Sequence, residues 1–235
     1  MSQSIHSTTK RNIFWFRRDL RLADNPALLA AIENSEELIA VYILDEKIIK
    51  DSGSKRLAYL GQSLRALDES LNNKLHVISG DNIEVLNSLI KRYGADEVHI
   101  SQEYEPYGAD RDLKVEASGI KLIRTGSIYA VAPGRVLKPS DETPYRVYTP
   151  FYKAWCLHGW RKPVAAPKEL NLVTPTDADR NFPDWQVPEG TVISKAGEAA
   201  ALERWKKFKS KALASYDTER NNAGVDGTSK MSEHL

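Results

Sequence analysis

Short apolar runs alternate with longer amphipathic stretches over the first half of the chain. Residues 38–44 (LIAVYIL) form an unbroken, partly β-branched run, which is typical of a strand buried on both faces of a sheet. Similar short runs predict further strands at residues 12–16, 75–79, 97–101 and 120–124. Between these runs, apolar residues recur at three- and four-residue intervals, which predicts helices at residues 26–33, 54–71, 83–93 and 107–117.

This alternation of strand and helix extends over residues 12–131. Such a succession favours a parallel sheet with helices on both faces, because each crossover must pass over one face of the sheet. We therefore predict an α/β fold with a doubly wound, five-stranded parallel sheet of Rossmann-like type. Neither a GxGxxG nor a GxxxxGK[ST] sequence follows the first strand, so no dinucleotide fingerprint and no P-loop is expected.

The pattern changes near residue 132. Nine of the eleven prolines lie between residues 132 and 192, and they predict a long, irregular linker. Residues 194–215 then carry alanine and aromatic side chains at three- and four-residue steps, which predicts an amphipathic helix. We divide the chain into a disordered tail, an α/β domain, a linker and a helical segment, at residues 1–11, 12–131, 132–193 and 194–235.

Composition narrows the functional classes. The chain has 33 Lys and Arg against 32 Asp and Glu, so its net charge of +1 excludes a uniformly basic surface but leaves room for a local patch. Cys156 is the only cysteine and no histidine stands at metal-ligand spacing from it, so we expect no internal disulfide and no metal site. The apolar runs are too short to span a membrane, and residues 1–11 lack the apolar segment of a signal peptide. We expect a cytoplasmic protein.

Two charged motifs follow predicted strands. Residues 16–25 (FRRDLRLADN) begin where the first strand ends, and residues 103–112 (EYEPYGADRD) follow the fourth. Because ligands bind beyond the carboxyl ends of the strands in open α/β sheets, we predict that both motifs lie at the same edge. Glu103 at the strand tip can accept hydrogen bonds from a heteroaromatic ligand, and Tyr104 and Tyr107 offer stacking faces.

Each of these motifs also has a purely structural interpretation. Arg17, Arg18 and Asp19 suit a salt-bridge cluster that holds the first loop against the linker, at least as well as they suit ligand contact. Asp110 and Asp112 suit the start of a helix, where acidic side chains interact favourably with the helix dipole. Both alternatives stay open from the residues alone.

Two further motifs lie in the second half of the chain. Residues 144–155 (PYRVYTPFYKAW) interleave aromatic and basic residues, and we expect the aromatic rings to anchor the linker to the core, with Lys153 as a candidate phosphate contact. Residues 227–232 (GTSKMS) place small hydroxyl residues after a glycine, which suits a phosphate held by backbone amides and hydroxyls. An ordinary helix cap explains Thr228 or Ser229 equally well.

In their order and spacing, the four motifs resemble those of the DNA photolyase and cryptochrome family over residues 12–235. Members of this family hold FAD non-covalently in a C-terminal helical domain and use blue light to split cyclobutane pyrimidine dimers in DNA. An antenna pigment in their N-terminal α/β domain harvests light for the flavin. The resemblance implies that residues 12–131 form the antenna-chromophore domain and that residues 194–235 are the truncated start of the FAD-binding domain.

The resemblance also implies a function. It favours the N-terminal portion of a deoxyribodipyrimidine photolyase, a carbon–carbon lyase that acts on damaged DNA as a monomer. A cryptochrome-type blue-light photoreceptor is one alternative, and a free-standing, non-catalytic pigment- or nucleotide-binding α/β module is another. Because the flavin pocket of the family lies mostly beyond the matching region, we expect this chain alone to be inactive and to contain no catalytic residue.

Position by position, the resemblance assigns site residues. The FAD contacts are Tyr216, Thr228, Ser229, Met231 and Ser232. The antenna-pigment contacts are Tyr42, Arg56 and Glu103, and the DNA contacts are Lys153 and Arg220. Folate-binding members usually carry Asn-Glu where this chain has Tyr107-Gly108, so the resemblance favours a deazaflavin-type pigment over methenyltetrahydrofolate.

Overall fold

The computed structural model describes residues 9–234, and a five-stranded parallel sheet forms its centre. The strands are β1 (Arg11–Phe16), β2 (Glu37–Leu44), β3 (His76–Ser79), β4 (Ala95–Gln102) and β5 (Leu122–Ser127). They are hydrogen-bonded in the order β3-β2-β1-β4-β5, so the chain winds first to one side of β1 and then to the other. The predicted α/β fold with a doubly wound parallel sheet is confirmed.

Helices cover both faces of this sheet, and three more helices follow the last strand within the described residues. Those of the α/β domain are α1 (Pro26–Glu33), α2 (Glu46–Lys50), α3 (Ser54–Ser70), α4 (Asn82–Tyr93) and α5 (Pro106–Ala117). The later ones are α6 (Tyr148–His158), α7 (Glu198–Lys211) and α8 (Tyr216–Glu219), with 3-10 turns at 177–179, 213–215 and 231–234. The sequence pattern missed α2, which is only five residues long, and α6, which lies inside the proline-rich linker.

Burial of β1 on both faces explains its unbroken apolar sequence. Ile13 and Trp15 point to the face that α4 and α5 cover, whereas Phe14 and Phe16 point to the face that α1 and α3 cover. All four side chains are at most 1% exposed. Full burial of a side chain of this size stabilises the fold by about 1.5–3 kcal/mol relative to exposure, so each face of β1 contributes to stability.

Gly197 sets the start of α7, four residues later than the predicted helix at residue 194. Its φ of 97° lies in the left-handed region that favours glycine. A Cβ at this position would lie 2.6 Å from the Cβ of Ala66 in α3. Close approach of this segment to α3 therefore requires a residue without a side chain, and the regular helix begins only after it.

Two ion pairs, one through Asp179 and one through Asp68, join the linker to the α/β domain. Asp179 is 3% exposed and accepts hydrogen bonds from Arg92 at 2.7 and 2.8 Å and from Thr176 at 2.8 Å. The neighbouring Arg180 donates to Asp68 of α3 at 2.7 Å. Both pairs join linker residues to helices of the α/β domain, so this part of the linker belongs structurally to that domain.

Replacing Asp179 with Asn should lower the free energy of unfolding by about 1–3 kcal/mol at pH 7. Burial acts to raise the pKa of Asp179, but hydrogen bonds from Thr176 and Arg92 outweigh burial and lower this pKa below its ordinary value. A carboxylate with a lowered pKa stabilises the native state above its unfolded-state pKa, and this contribution disappears as the pH falls through the folded-state pKa.

The variant and the wild type should therefore differ at pH 7 and converge as the pH falls through the lowered folded-state pKa of Asp179, as measured by urea unfolding at a series of pH values. Asp177→Asn is the matched control, because Asp177 is exposed in the same 3-10 turn. A constant difference between Asp179→Asn and wild type at all pH values would contradict the ionic role of Asp179.

The predicted tail at residues 1–11 extends too far. Arg11 is the first residue of β1, and its Nε donates to Glu37 in β2 at 2.7 Å. Residues 1–8 lie outside the described residues. Over residues 9–234, no helix combines the length and the apolar character needed to cross a membrane.

Candidate functional site

A cavity of about 490 Å³ opens at the carboxyl edge of the sheet, beyond β1, β2 and β4. Its wall includes Tyr42 of β2, Arg56 in the first turn of α3, and Glu103 directly after β4. These are the three residues that the sequence assigns to an antenna pigment. The volume lies within the range of about 300–1,000 Å³ that is typical of ligand pockets. The structure therefore brings the three residues together around a space of suitable size.

Arg17 lies at the centre of a buried ion network on this edge, between β1 and β4. Its Nη1 donates to both oxygens of Asp112 at 2.7 and 2.8 Å, and its Nε lies 3.2 Å from Oε1 of Glu103. Arg111 approaches the same carboxylates, at 3.3 Å from Glu103 and 2.9 Å from Asp112. Two cations thus compensate two carboxylates where water has little access. The two charged motifs meet at one edge of the sheet, as the sequence predicts.

Asp19 ties the opening motif to β4. Its Oδ2 accepts a hydrogen bond from Oγ of Ser101 at 2.6 Å, and its Oδ1 accepts one from the backbone N–H of Arg17 at 3.2 Å. The structural interpretation therefore applies to both residues, with Arg17 in salt bridges and Asp19 in hydrogen bonds from uncharged donors. Their partners lie on β4, directly after it and on α5, and not on the linker. Asp24 is the residue of this motif that contacts the linker, through the backbone of Val164 at 2.9 Å.

Trp15 forms an aromatic floor under the network. The guanidinium carbons of Arg17 and Arg111 lie 5.3 and 4.8 Å from the centroid of its ring. These distances are within the range of cation–π contacts, about 6 Å. Trp15 and Arg111 are site residues that the sequence pattern does not single out. In an extended segment, residues 15 and 17 point to the same side. This two-residue spacing is the signal that could have revealed the contact between Trp15 and Arg17.

Because Gly108 has no side chain, the carboxylate of Glu103 can occupy the space beside it. A Cβ on Gly108 would lie 2.1 Å from Oε2 of Glu103, so any side chain here must displace that carboxylate. Arg17 and Arg111 hold Oε1, whereas Oε2 accepts no hydrogen bond within the described part of the chain. Glu103 therefore has one oxygen fixed by the network and one without a protein donor beside the cavity.

Two tyrosines on the cavity wall stay protonated at neutral pH. Burial raises the pKa of Tyr42 to about 12. Burial and a hydrogen bond to Asp45 raise the pKa of Tyr107 to about 12. Burial acts to raise the pKa of Asp45 as well, but hydrogen bonds from Tyr107 and Asn82 outweigh burial and lower it. The wall thus combines phenol donors with carboxylate acceptors, the set that orients a polar heteroaromatic ring.

Comparison with known proteins decides the family. The model of the DNA photolyase family matches residues 12–168, which is more than half of the chain. The chain belongs to the DNA photolyase family. The match includes the α/β domain from the second residue of β1 onwards, with its carboxyl-edge cavity, and α6 in the linker.

Relatives in this family include photolyases and cryptochromes. The deoxyribodipyrimidine photo-lyase of a Synechococcus species is 34% identical over 95% of this chain and 50% of its own length. Cryptochrome-2 of Gallus gallus is 30% identical over 88% of this chain and 38% of its own length. The crystal structure of a class III photolyase from Agrobacterium tumefaciens matches with a TM-score of 0.82 at 32% identity, over 98% of this chain and 51% of that one. The chain spans about half the length of these photolyases.

In this photolyase-family chain, the predicted FAD contacts lie near the C-terminal turn, away from the wall of the 490 Å³ cavity. Arg204 of α7 donates to the backbone carbonyls of Thr228 and Ser229 at 2.6 and 2.9 Å, and to the carboxylate of Asp226 at 2.7 and 2.8 Å. Tyr216 lies at the start of α8. Arg204 therefore organises the turn that carries the hydroxyl residues, while Met231 and Ser232 follow in the last 3-10 turn.

The predicted DNA contacts lie on separate helical segments of the photolyase-family chain. Lys153 is exposed in the middle of α6. Arg220 follows α8, is also exposed, and lies 3.7 Å from Asp217. Their exposure leaves both cations accessible to a phosphate backbone.

The aromatic residues of α6 do not anchor the linker to the core, and that prediction is wrong. No residue of α6 is buried, and Tyr148 is 73% exposed. Tyr148 stacks on Tyr152 with centroids 5.8 Å apart, and Trp155 stacks on Trp160 at 4.6 Å. The rings therefore pair with one another on the surface, and within residues 9–234 none of them belongs to the core on either face of the sheet.

Proposed function

We propose that this chain is the antenna-binding portion of a deoxyribodipyrimidine photolyase, which uses light and FAD to split cyclobutane pyrimidine dimers in damaged DNA. In this proposal, residues 12–131 form the antenna-chromophore domain, residues 132–193 the linker, and residues 194–235 the start of the helical FAD-binding domain. The protein is a cytoplasmic monomer. Family membership and the similarity to named photolyases support this assignment.

The observation that carries the pigment proposal is the shared wall of Tyr42, Arg56 and Glu103 around the 490 Å³ cavity. A deazaflavin-type pigment presents a ring N–H, carbonyl oxygens and an acidic hydroxyl. Oε2 of Glu103 suits the N–H, because that oxygen has no donor within residues 9–234. Arg56 suits an anionic oxygen, and the neutral phenol of Tyr42 suits a carbonyl. When bound, the pigment would supply light absorption.

The FAD proposal concerns Tyr216, Thr228, Ser229, Met231 and Ser232. Hydroxyl side chains and a turn held by Arg204 suit the phosphates of a dinucleotide, and Tyr216 offers an aromatic face. FAD would supply the light-driven electron transfer. We propose Lys153 and Arg220 as contacts to the DNA backbone, because both cations are exposed.

A cryptochrome-type photoreceptor is the second candidate function, favoured by the 30% identity to Cryptochrome-2 of Gallus gallus. Both candidates are compatible with a pigment cavity, so DNA binding must separate them. A photolyase portion should bind duplex DNA through its exposed cations, so Lys153→Ala and Arg220→Ala should each weaken binding, measured by fluorescence anisotropy. Absence of saturable binding to duplex DNA would favour the photoreceptor.

Titration of the purified chain with 8-hydroxy-5-deazariboflavin tests the pigment proposal. We expect saturable binding of one pigment per chain, about tenfold or more tighter than that of methenyltetrahydrofolate, measured by pigment fluorescence. Arg56→Gln should weaken deazaflavin binding by about tenfold, since it removes a charged partner at the exposed mouth of the cavity.

Lys55→Gln is the matched control for Arg56→Gln, because Lys55 is the exposed neighbour that does not line the cavity. Equal losses in the two variants would assign the effect to general surface charge. Absence of saturable binding of either pigment would overturn the antenna proposal, and tighter binding of the folate would reverse its choice of pigment.

A further inference from the structure

A second cavity of about 420 Å³ adjoins the first along the carboxyl edge of the sheet. The two cavities share four wall residues, Asp45, Asn82, Tyr107 and Arg111. They come from the loop after β2, the start of α4 and the first half of α5. The shared wall therefore separates two halves of one longer cleft.

Hydrogen bonds between side chains hold this wall together. Oδ2 of Asp45 accepts from the phenol of Tyr107 and from Nδ2 of Asn82 at 3.0 Å, while Oδ1 accepts from the backbone N–H of Lys47 at 3.0 Å. We call the set of Asp45, Tyr107 and Asn82 the partition. Tyr107 is 43% exposed, so its ring can rotate outward without disturbing the core. The partition is therefore held by hydrogen bonds to Asp45, and its tyrosine ring has room to move on the solvent side.

The two cavities differ in chemical character. The floor of the first includes aromatic and aliphatic side chains such as Trp15, Phe16 and Leu60. The second is lined mainly by charged residues, with five carboxylates (Asp45, Glu46, Asp81, Glu84 and Asp110) against three cations (Lys47, Arg111 and Lys114). A flat ring system suits the first cavity, and only a polar chain attached to that ring would suit the second.

We propose that Tyr107 and Asp45 determine which length of ligand this edge accepts: the partition confines a compact heteroaromatic ring system to the first cavity and rejects one that carries a long chain. This inference rests on the proposed pigment-binding function. A long-chain ligand must break the Tyr107–Asp45 hydrogen bond, whose acceptor is charged. That loss corresponds to roughly a 10- to 100-fold lower affinity for the long form.

The test compares two probes that share one chromophore. The compact probe is 8-hydroxy-5-deazariboflavin, and the long probe is the same molecule extended at its ribityl end by three ethylene glycol units. The added chain is uncharged, so the excess of carboxylates in the second cavity does not bias the result. The measured quantity is the ratio of the two dissociation constants, which cancels any general change in affinity.

Wild type should bind the compact probe at least tenfold more tightly than the long one, and Tyr107→Ala should bring the ratio below about threefold. Tyr107→Phe keeps the ring and loses the hydrogen bond, so its ratio should lie between these values. Tyr148→Ala, which removes an exposed tyrosine of α6, should keep the wild-type ratio.

Each outcome bears on one of the two proposals. If the compact probe does not bind to any variant, the pigment-binding function itself fails. If the compact probe binds but the ratio is near one in wild type, the glycol extension of the long probe leaves through the mouth of the first cavity. The partition then does not discriminate between ligands by length. An unchanged ratio in Tyr107→Ala would also overturn the inference.

Discussion

Asp112→Ala should lower the free energy of unfolding by about 3–5 kcal/mol. The side chain of Asp112 is 2% exposed and balances Arg17, whose side chain is 5% exposed, together with Arg111. Its removal leaves two cations beside Glu103 alone, and an incompletely compensated charge in a site with little water is costly. Since domains are commonly stable by only about 5–15 kcal/mol, this loss would bring the α/β domain close to unfolding at 37 °C.

Asp110→Ala is the matched control for this prediction. Asp110 lies two residues earlier on α5, and its side chain is 63% exposed in a surface pair with Lys114 at 2.6 Å. Such pairs contribute about 0–1 kcal/mol, so the control should unfold at nearly the wild-type urea concentration, followed by far-UV circular dichroism. A loss below about 1 kcal/mol for Asp112→Ala would show that the network contributes little to stability.

The fold was predictable because its periodicity is local. The run at residues 38–44 and the leucine spacing of α3 each report on their own element, and five such units leave few arrangements other than a parallel doubly wound sheet. The position of α6 was not predictable in this way. Its aromatic residues have the composition of a core element, but composition does not reveal whether a neighbouring element covers them.

The site was predictable only in part, for a related reason. Strand ends place Arg17 and Glu103 at one edge, since parallel strands share a direction. The inward direction of Arg111 and Asp112 depends on how α5 rotates against β5 and β1, which the spacing of apolar residues does not fix to within one residue. The hydrogen bond between Tyr107 and Asp45 joins residues 62 positions apart and follows from tertiary packing alone.

Glu103→Gln should weaken binding of the deazaflavin probe by about 10- to 100-fold, measured by the same fluorescence titration. Gln keeps the volume of the side chain but removes the charge that makes Oε2 a strong acceptor for a ring N–H. Ala is a poor choice at this position, because it would also remove the partner of Arg17 and Arg111 and so lower the free energy of unfolding. Glu116→Gln is the control, because it makes the same substitution at an exposed, arginine-paired position of α5. It should leave the affinity for the probe unchanged.

Gly108→Ala tests the role of the Glu103 carboxylate by moving it while its charge stays unchanged. The added Cβ would lie 2.1 Å from Oε2 of Glu103, so the carboxylate must turn away while its charge is kept. If Oε2 binds the pigment, Gly108→Ala should lower pigment affinity about as much as Glu103→Gln does. The alternative is that Glu103 serves only to balance Arg17 and Arg111, which its Oε1 faces. Both variants should then change the free energy of unfolding, while the pigment affinity of the folded protein stays at the wild-type value.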